Sequence, residues 1–408
     1  MKNIYKYSFI LLLFSSMIFS YSCKKEDTGA PVVNNIRLTD PAFADKSLDT
    51  VGLGKVIAIQ GNYLNTTKVV RINGFDVPFN PTYASKENLL IQVPEETPTL
   101  ATDPLIKNEL YIETEHGTIT RKLIVLPPAP VVAKISNEFA KEGEKLVIKG
   151  KYFFFVQHIK FPGNVIGTDF EVNGDATELK VTVPAGVGIG GVEVVTPSGS
   201  GNSAPAYVMN DITGMLCNFD DINPFGAWGP KPVTVDPSTN PTPAALMGKY
   251  LLITSGSEII PGSWWNNDWV MPTSGVKNLE LTGDANNYAL KFEIYVPEVW
   301  NSGWFEMNFG WYNFYRWMEW CDDLDPAAYW DPTTGTRTNL VTTSWQTVSI
   351  PLSLFRKKPG SNPDGAPVAK VEEIMGSDIV WAFQNPDTGV AIPNLHICID
   401  NIRIVQIK

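Results

Sequence analysis

The stretch VGLGKVIAIQGNYLNTTKVVRINGF, residues 51–75, returns 89 positions later as AKEGEKLVIKGKYFFFVQHIKFPGN, residues 140–164. Gly54 and Gly61 of the first copy match Gly143 and Gly150 of the second, and Asn73-Gly74 matches Pro162-Gly163. Further along, LLIQVPE at Leu89 answers to LKVTVPA at Leu179, and TEHG at Thr114 to TPSG at Thr196. Within each copy apolar residues alternate, as in Ile57 and Ile59 against Val56, Ala58 and Gln60, which is the period of a β-strand. Glycines mark the turns between strands. The chain therefore begins its ordered part with two copies of one small β-unit.

That unit resembles an IPT/TIG module, an immunoglobulin-like β-sandwich. The resemblance rests on the G-x-x-V-x-I-x-G opening, the NG turn, the L-x-V-x-V-P strand and the closing T-x-x-G hairpin. The modules are expected over residues 31–126 and 128–208, joined by PPAPVV (Pro127–Val132), whose prolines make a short, semi-rigid spacer. Neither module holds a tryptophan. Spacing is the simpler role for both, and whether they bind anything stays open.

Composition bounds the rest. A chain of 408 residues corresponds to roughly two to four domains. Its 18% charged content describes a globular protein, and its net charge of −11 argues against nucleic-acid or anionic-membrane partners. The N-terminus MKNIYKYSFILLLFSSMIFSYSC has two lysines, then an apolar run too short to cross a bilayer, then small residues before Cys23. This resembles a lipoprotein signal (residues 1–22) in which Cys23 is acylated. Residues 23–30 are the tether, and its Lys24-Lys25-Glu26-Asp27 resembles the surface-export signal of Bacteroidetes lipoproteins. The expected location is the outer membrane, lipid-anchored and facing outward. Cys217, Cys321 and Cys398 remain, as one disulfide or as free thiols; no spacing suggests zinc.

Past residue 209 the composition changes. All twelve tryptophans lie between Trp228 and Trp381. Eight strand candidates follow one another: LCNFDD, YLLITS, DWVMP, YALKFEIYVP, WFEMNFGW, WQTVSIPLSLF, DIVWAFQNP and HICIDNIRIV. Residues 209–408 thus read as an antiparallel β-sandwich of jelly-roll type. The order FDD…W, apolar strand, IPLSLF and IDNIRI resembles carbohydrate-binding jelly rolls. Two IPT/TIG-like modules before such a domain resemble the surface glycan-binding lipoproteins of Bacteroidetes polysaccharide-utilisation loci, with a xyloglucan-binding-type C-terminal domain. The predicted fold is all-β throughout.

The aromatic residues then divide by face. In WFEMNFGW, Phe305, Met307 and Phe309 share an apolar face while Trp304, Glu306 and Asn308 point the other way, a polar-aromatic face that either carries a sugar chain or has Trp304 packed under a loop. From Tyr312 onward the alternation fails and YNFYRWMEW reads as a loop or helical turn, with Trp317 and Trp320 on one side, either as a platform or as aromatics that pin the loop to the sandwich. Trp330 follows in the same region. Trp228 sits in a Gly/Pro loop, and Trp264-Trp265 adjoin Asn266; loop tryptophans beside amides suit the flat, hydroxyl-rimmed face of a sugar. Trp345 and Trp381 read as core.

By resemblance to carbohydrate-binding jelly rolls, Asp220, Asp221 and Asp400 are candidate ligands of a structural calcium; no other cofactor is expected. Scattered histidines and the absence of a nucleophile motif argue against an enzyme. The expected function is capture of a β-glucan-type polysaccharide, xyloglucan favoured, for an outer-membrane transporter of the starch-utilisation type. The alternatives are an adhesin or structural protein with a protein partner, and a glycoside hydrolase.

Overall fold

Repeated glycines have a repeated cause. Gly61 and Gly150 each lie where a strand passes under the backbone of its neighbour: a Cβ would fall 1.7 Å from the Val32 carbonyl oxygen at Gly61 and 2.0 Å from that of Val131 at Gly150. The neighbouring strands slip register at the same place in both copies, between Val33 and Asn35 and between Val132 and Lys134. Gly54 and Gly143 turn the chain at φ +71° and +84°, a region that suits glycine. Both copies thus require glycine at the same two seats for the same geometric reasons.

The computed structural model describes residues 29–43, 45–223, 233–235, 243–244, 246–263, 271–273, 279–310, 313–317, 330–331, 336–337, 340–357, 365–385 and 389–408. Among them strands and short 3-10 turns occur and no α-helix. They divide into two compact units, one ending at Pro128 and one running Ala129–Lys408. In the first, the sheet Val32–Leu38, Val56–Asn62, Asn88–Gln92 faces the sheet Phe75–Asp76, Thr67–Ile72, Glu109–Thr114, Gly117–Lys122. Ile57, Ile59, Ile72, Leu89 and Ile112, all fully buried, form its core.

The second unit starts with the other sandwich. Its sheets are Val131–Ile135, Lys145–Lys151, Glu178–Thr182, Phe170–Val172 and Val165–Gly167, His158–Phe161, Glu193–Thr196, Gly199–Asn202. The tryptophan-rich domain follows. One of its sheets runs Val233–Val235, Tyr250–Thr254, His396–Gln406, Tyr288–Tyr295, Gln346–Pro351, with Met215–Cys217 also paired to His396–Gln406. The other runs Met271–Thr273, Ile379–Gln384, Trp304–Phe309, Asn313–Trp317, Arg356–Lys357. Leu290, Phe292 and Ile294 of the first meet Phe305, Met307, Phe309, Trp381 and Phe383 of the second. Trp381 is fully buried with its ring 4.9 Å from Phe292, and Trp345 is 5% exposed, so both expected core tryptophans are core.

One expectation needs correcting. Asn313–Trp317 is neither a loop nor a helical turn but a strand, paired antiparallel to Trp304–Phe309 with Phe305 opposite Trp317 and Phe309 opposite Asn313. Gly310, at φ +61°, begins the reversal. Aromatic residues at nearly every position hid the period-two alternation there.

The other face of Tyr288–Tyr295 does not meet solvent. Lys291 and Glu293 are buried beneath the second sandwich, whose Glu138 reaches across to them. Glu138 accepts from Lys291 Nζ at 2.5 Å, from Arg403 Nη2 at 2.5 Å and from the Val208 amide at 2.9 Å. Arg403 also donates to both oxygens of Glu293, at 2.7 and 2.9 Å. The Thr347 amide donates to the Ser136 carbonyl, and the Thr347 hydroxyl accepts from the Glu138 amide. Phe139 packs beside Tyr250 and Trp345, with the Arg403 guanidinium 4.9 Å from its ring centre. Two cations and two anions, each hydrogen-bonded, make a dry neutral joint; the second sandwich is docked rather than strung.

Candidate functional site

Strand alternation places the predicted trio Trp304, Glu306 and Asn308 together on the reverse of the core face. Register extends that face to the neighbouring strand, where Gln384 lies opposite Trp304, Ala382 opposite Glu306 and Val380 opposite Asn308. The trio is covered, however: Trp304 is 8% exposed, Glu306 5% and Asn308 1%. Trp304 Nε1 donates to Gln384 Oε1 at 3.1 Å, Gln384 Nε2 to Glu306 Oε2 at 3.4 Å, and Asn308 Nδ2 to Glu306 Oε1 at 3.4 Å. These side chains form a hydrogen-bonded layer within the fold, not an open platform. The indole N–H is satisfied internally, as a buried tryptophan requires.

Beyond Gln384 the sheet ends in a cluster of loops held by Asn385. That side chain is fully buried; its Nδ2 donates to the carbonyls of Ile259 and Val390, and its Oδ1 accepts from Ser302 Oγ at 2.8 Å. Its amide donates to the Ser263 carbonyl at 3.0 Å. This bridge ties Ser263 to the sheet end that carries Trp304. Trp300, fully buried, seals the same end, its Nε1 donating to the Ser302 carbonyl at 2.7 Å. Sequence reading missed Gln384, Asn385 and Trp300. The alternation Val380, Ala382, Gln384 against Ile379, Trp381, Phe383 held the signal for the first; nothing linear marks a buried asparagine that ties three loops.

Of the remaining candidates, Trp228, Trp264, Trp265, Asn266 and Trp320 lie outside the described residues, as does Cys23. Trp317 ends the strand Asn313–Trp317 and Trp330 begins Trp330–Asp331.

The three aspartates do not converge. Asp221 Oδ1 accepts from Asn218 Nδ2 at 2.6 Å and Asp220 Oδ1 from the Lys249 amide at 2.9 Å. Asp400 is fully buried, and burial, with Glu293 and Asp220 nearby, pushes its carboxyl up to about 9. Among the described residues no group of three or more His, Cys, Asp or Glu side chains is placed to hold a metal. Of the calcium candidates read from the sequence, Asp221 thus holds a local turn, Asp220 holds the Lys249 amide and Asp400 is shut in the fold. Cys217 and Cys398 are free, buried thiols.

Residues 209–406 match the family described as the surface glycan-binding protein B xyloglucan binding domain. Over 204 residues the chain is 34% identical to an IPT/TIG domain-containing protein of Bacteroides ovatus, covering 45% of this chain and 42% of that one; it thus spans under half the length of that curated relative. Among solved structures, surface glycan-binding protein PbSGBP-B from Prevotella bryantii superposes with a TM-score of 0.63 at 23% identity, over 93% of this chain and all of that one. SGBP-B from a complex xyloglucan utilization locus in Bacteroides uniformis covers the same shares at 18% identity and a TM-score of 0.49. The Prevotella likeness agrees with the all-β arrangement of sandwiches found here. The likeness to surface glycan-binding protein B xyloglucan binding domains thus covers residues 209–406, a little under half of the chain.

Proposed function

We propose that this protein is a non-catalytic, cell-surface polysaccharide-binding lipoprotein that captures a β-glucan chain, xyloglucan first among them, and holds it for import. The observation that carries this is the match of residues 209–406 to the xyloglucan binding domain of surface glycan-binding protein B. The lipobox-like Cys23 supplies the anchor to the outer membrane. A transporter of the starch-utilisation type is the partner to which captured chains pass. Aromatic side chains supply the contact surface, with Trp228, Trp264, Trp265, Asn266, Trp317, Trp320 and Trp330 as its candidates.

The physics suits a neutral glucan. Each indole that covers a sugar's C–H face removes apolar area worth about 25 cal/mol per Å² from water, so a stacked ring contributes on the order of 1–2 kcal/mol. Two or three such rings, less the cost of association, give roughly millimolar to micromolar binding. An acidic domain repels a polyanionic chain and leaves a neutral one unaffected. Calorimetry of the chain lacking residues 1–28 against xyloglucan, mixed-linkage β-glucan, glucomannan, xylan and starch tests the reading. Binding to a β-glucan with no release of reducing sugar supports it. Silence across the panel overturns it in favour of a protein partner, and release of reducing sugar in favour of a hydrolase.

A further inference from the structure

The joint between the second sandwich and the C-terminal domain leaves a groove of about 350 Å³ beside it, within the size range of small-ligand sites, which favour such domain boundaries. One wall is the outward face of the sheet Val131–Ile135, Lys145–Lys151, Glu178–Thr182, from which Val147, Lys149, Glu178 and Lys180 line it. The other is made by residues 340–343 and the strand Gln346–Pro351, the last of its sheet. Both walls belong to one compact unit and are pinned by the Glu138 contacts and by the Thr347–Ser136 hydrogen bond. The groove therefore exists before anything enters it.

Its charges answer one another. Register sets Lys149 directly opposite Glu178, and Lys180 pairs with the same carboxylate at 3.5 Å. Nothing in this lining calls for an ionic ligand. Apart from these charges it is amphipathic: Val147 and the exposed Val341 are apolar, lysine stems add methylene groups, and Thr343, Gln346 and Ser349 bring hydroxyls and an amide. A neutral sugar offers the matching surface, C–H faces rimmed by hydroxyls. The rival occupant is a peptide strand added to the free edge of Gln346–Pro351. Along an antiparallel edge, alternate residues turn their backbone groups outward. The outward Thr347 amide is already taken by the Ser136 carbonyl, and Pro351, outward in the same alternation, has no N–H to give. Only Ser349 remains, too little to hold a strand.

We propose that this groove is a second glycan subsite, separate from the tryptophan-bearing face, and that it takes a short neutral β-glucan segment whose hydroxyls meet Thr343, Gln346 and Ser349. The neutrality and the amphipathic match are read from the groove alone; the choice of a glucan rests on the glycan-binding function proposed above.

The probe is cellotetraose, a neutral β-glucan oligosaccharide, titrated calorimetrically into the chain lacking residues 1–28, with a diazirine-bearing form for photo-cross-linking and peptide mapping. Two molecules per chain are expected, with cross-links on residues 340–349 that excess cellotetraose suppresses. Added salt should leave the affinity unchanged, since no charge is neutralised. Thr343→Leu fills the groove, and Gln346→Leu keeps the length of the side chain while removing its amide. Each should weaken the second molecule by about tenfold, the worth of one hydrogen bond, and leave the first molecule and thermal unfolding as they were. One molecule per chain, indifferent to both variants, overturns the proposal and leaves the proposed function standing. One molecule, weakened by both variants, keeps the groove and overturns the tryptophan surface instead. No cross-link on these residues, or no binding of millimolar cellotetraose, overturns the proposal, and the polysaccharide panel then reports separately on the function. A serine- and threonine-rich peptide that competes for the groove would assign it to strand addition.

Discussion

Replacing Glu138 with alanine should loosen the joint between the second sandwich and the C-terminal domain. In the native chain burial alone would raise the Glu138 pKa, but the Lys291 and Arg403 cations beside it carry it below the usual carboxylate range. Glu293 goes the other way: burial raises it beyond what Arg403 can offset. The two anions and two cations balance. Glu138→Ala leaves Lys291 and Arg403 facing Glu293 alone and strips the Val208 amide of its acceptor. Breaking a buried pair by removing one partner costs about 3–5 kcal/mol. Lys291, whose pKa burial already lowers, can shed its proton and cap the loss, so about 4 kcal/mol is expected.

Urea unfolding followed by tryptophan fluorescence reads this directly, since every tryptophan lies in the C-terminal domain and none in the sandwich that supplies Glu138. With an m-value of about 3 kcal/mol/M for a unit of this size, the midpoint should fall by roughly 1–1.5 M. The pH dependence carries a sign. A depressed folded-state pKa stabilises above the unfolded value of 4.5 and loses that contribution as pH falls through the folded value. The gap between native and variant should therefore be full at pH 7 and shrink below about pH 4. Adding Lys291→Met to Glu138→Ala restores neutrality and should recover part of the loss. A midpoint shift under about 0.3 M would refute the reasoning, because it would mean that water already reaches these charges.

Asp400 has a folded-state pKa of about 9 against 3.8 unfolded, so folding takes up a proton and stability declines by about 1.4 kcal/mol per pH unit between those values. Asp400→Asn keeps an acceptor for the Asn401 amide and should unfold at a higher temperature at pH 8, with little gain near pH 4; equal pH slopes for the two proteins would count against it. Trp304→Ala should cost about 3–5 kcal/mol of stability, because the ring is buried and its N–H is paired, whereas a platform tryptophan would lose glycan binding at unchanged melting temperature. Burial pushes the thiols of Cys217 and Cys398 up to about 12, so a disulfide reagent at pH 8 should modify them only after denaturation, and fast labelling of either in the native protein would contradict their placement.

Much of this architecture was legible in the linear pattern, because short-range physics wrote it there. Gly61 and Gly150 recur since any side chain would strike the neighbouring backbone, and Phe305, Met307 and Phe309 alternate since one side of a strand is core. The joint was not legible. Lys291, Glu293 and Arg403 occupy the alternate face of their strands, which sequence gives every reason to leave in water. Their cover, Glu138, lies 153 positions before Lys291, and no periodicity links them. The polar layer of Trp304 and Glu306 was found as a face, yet its burial depends on what lies over it, and that too is long-range. In Asn313–Trp317 the pattern was present but masked, since phenylalanine, tyrosine and tryptophan suit either side of a strand.

The docked joint also bears on how such proteins exchange parts. A recombination event that cut between residues 208 and 209 would look harmless on a map of domains, yet it would hand the new chimera a sheet face with Lys291, Glu293 and Arg403 laid bare and no Glu138 to meet them. A cut near Pro128 severs no member of that foursome. A transferable cassette cut from this chain therefore starts one sandwich earlier than the tryptophans, and shuffling has to carry residues 129–408 together.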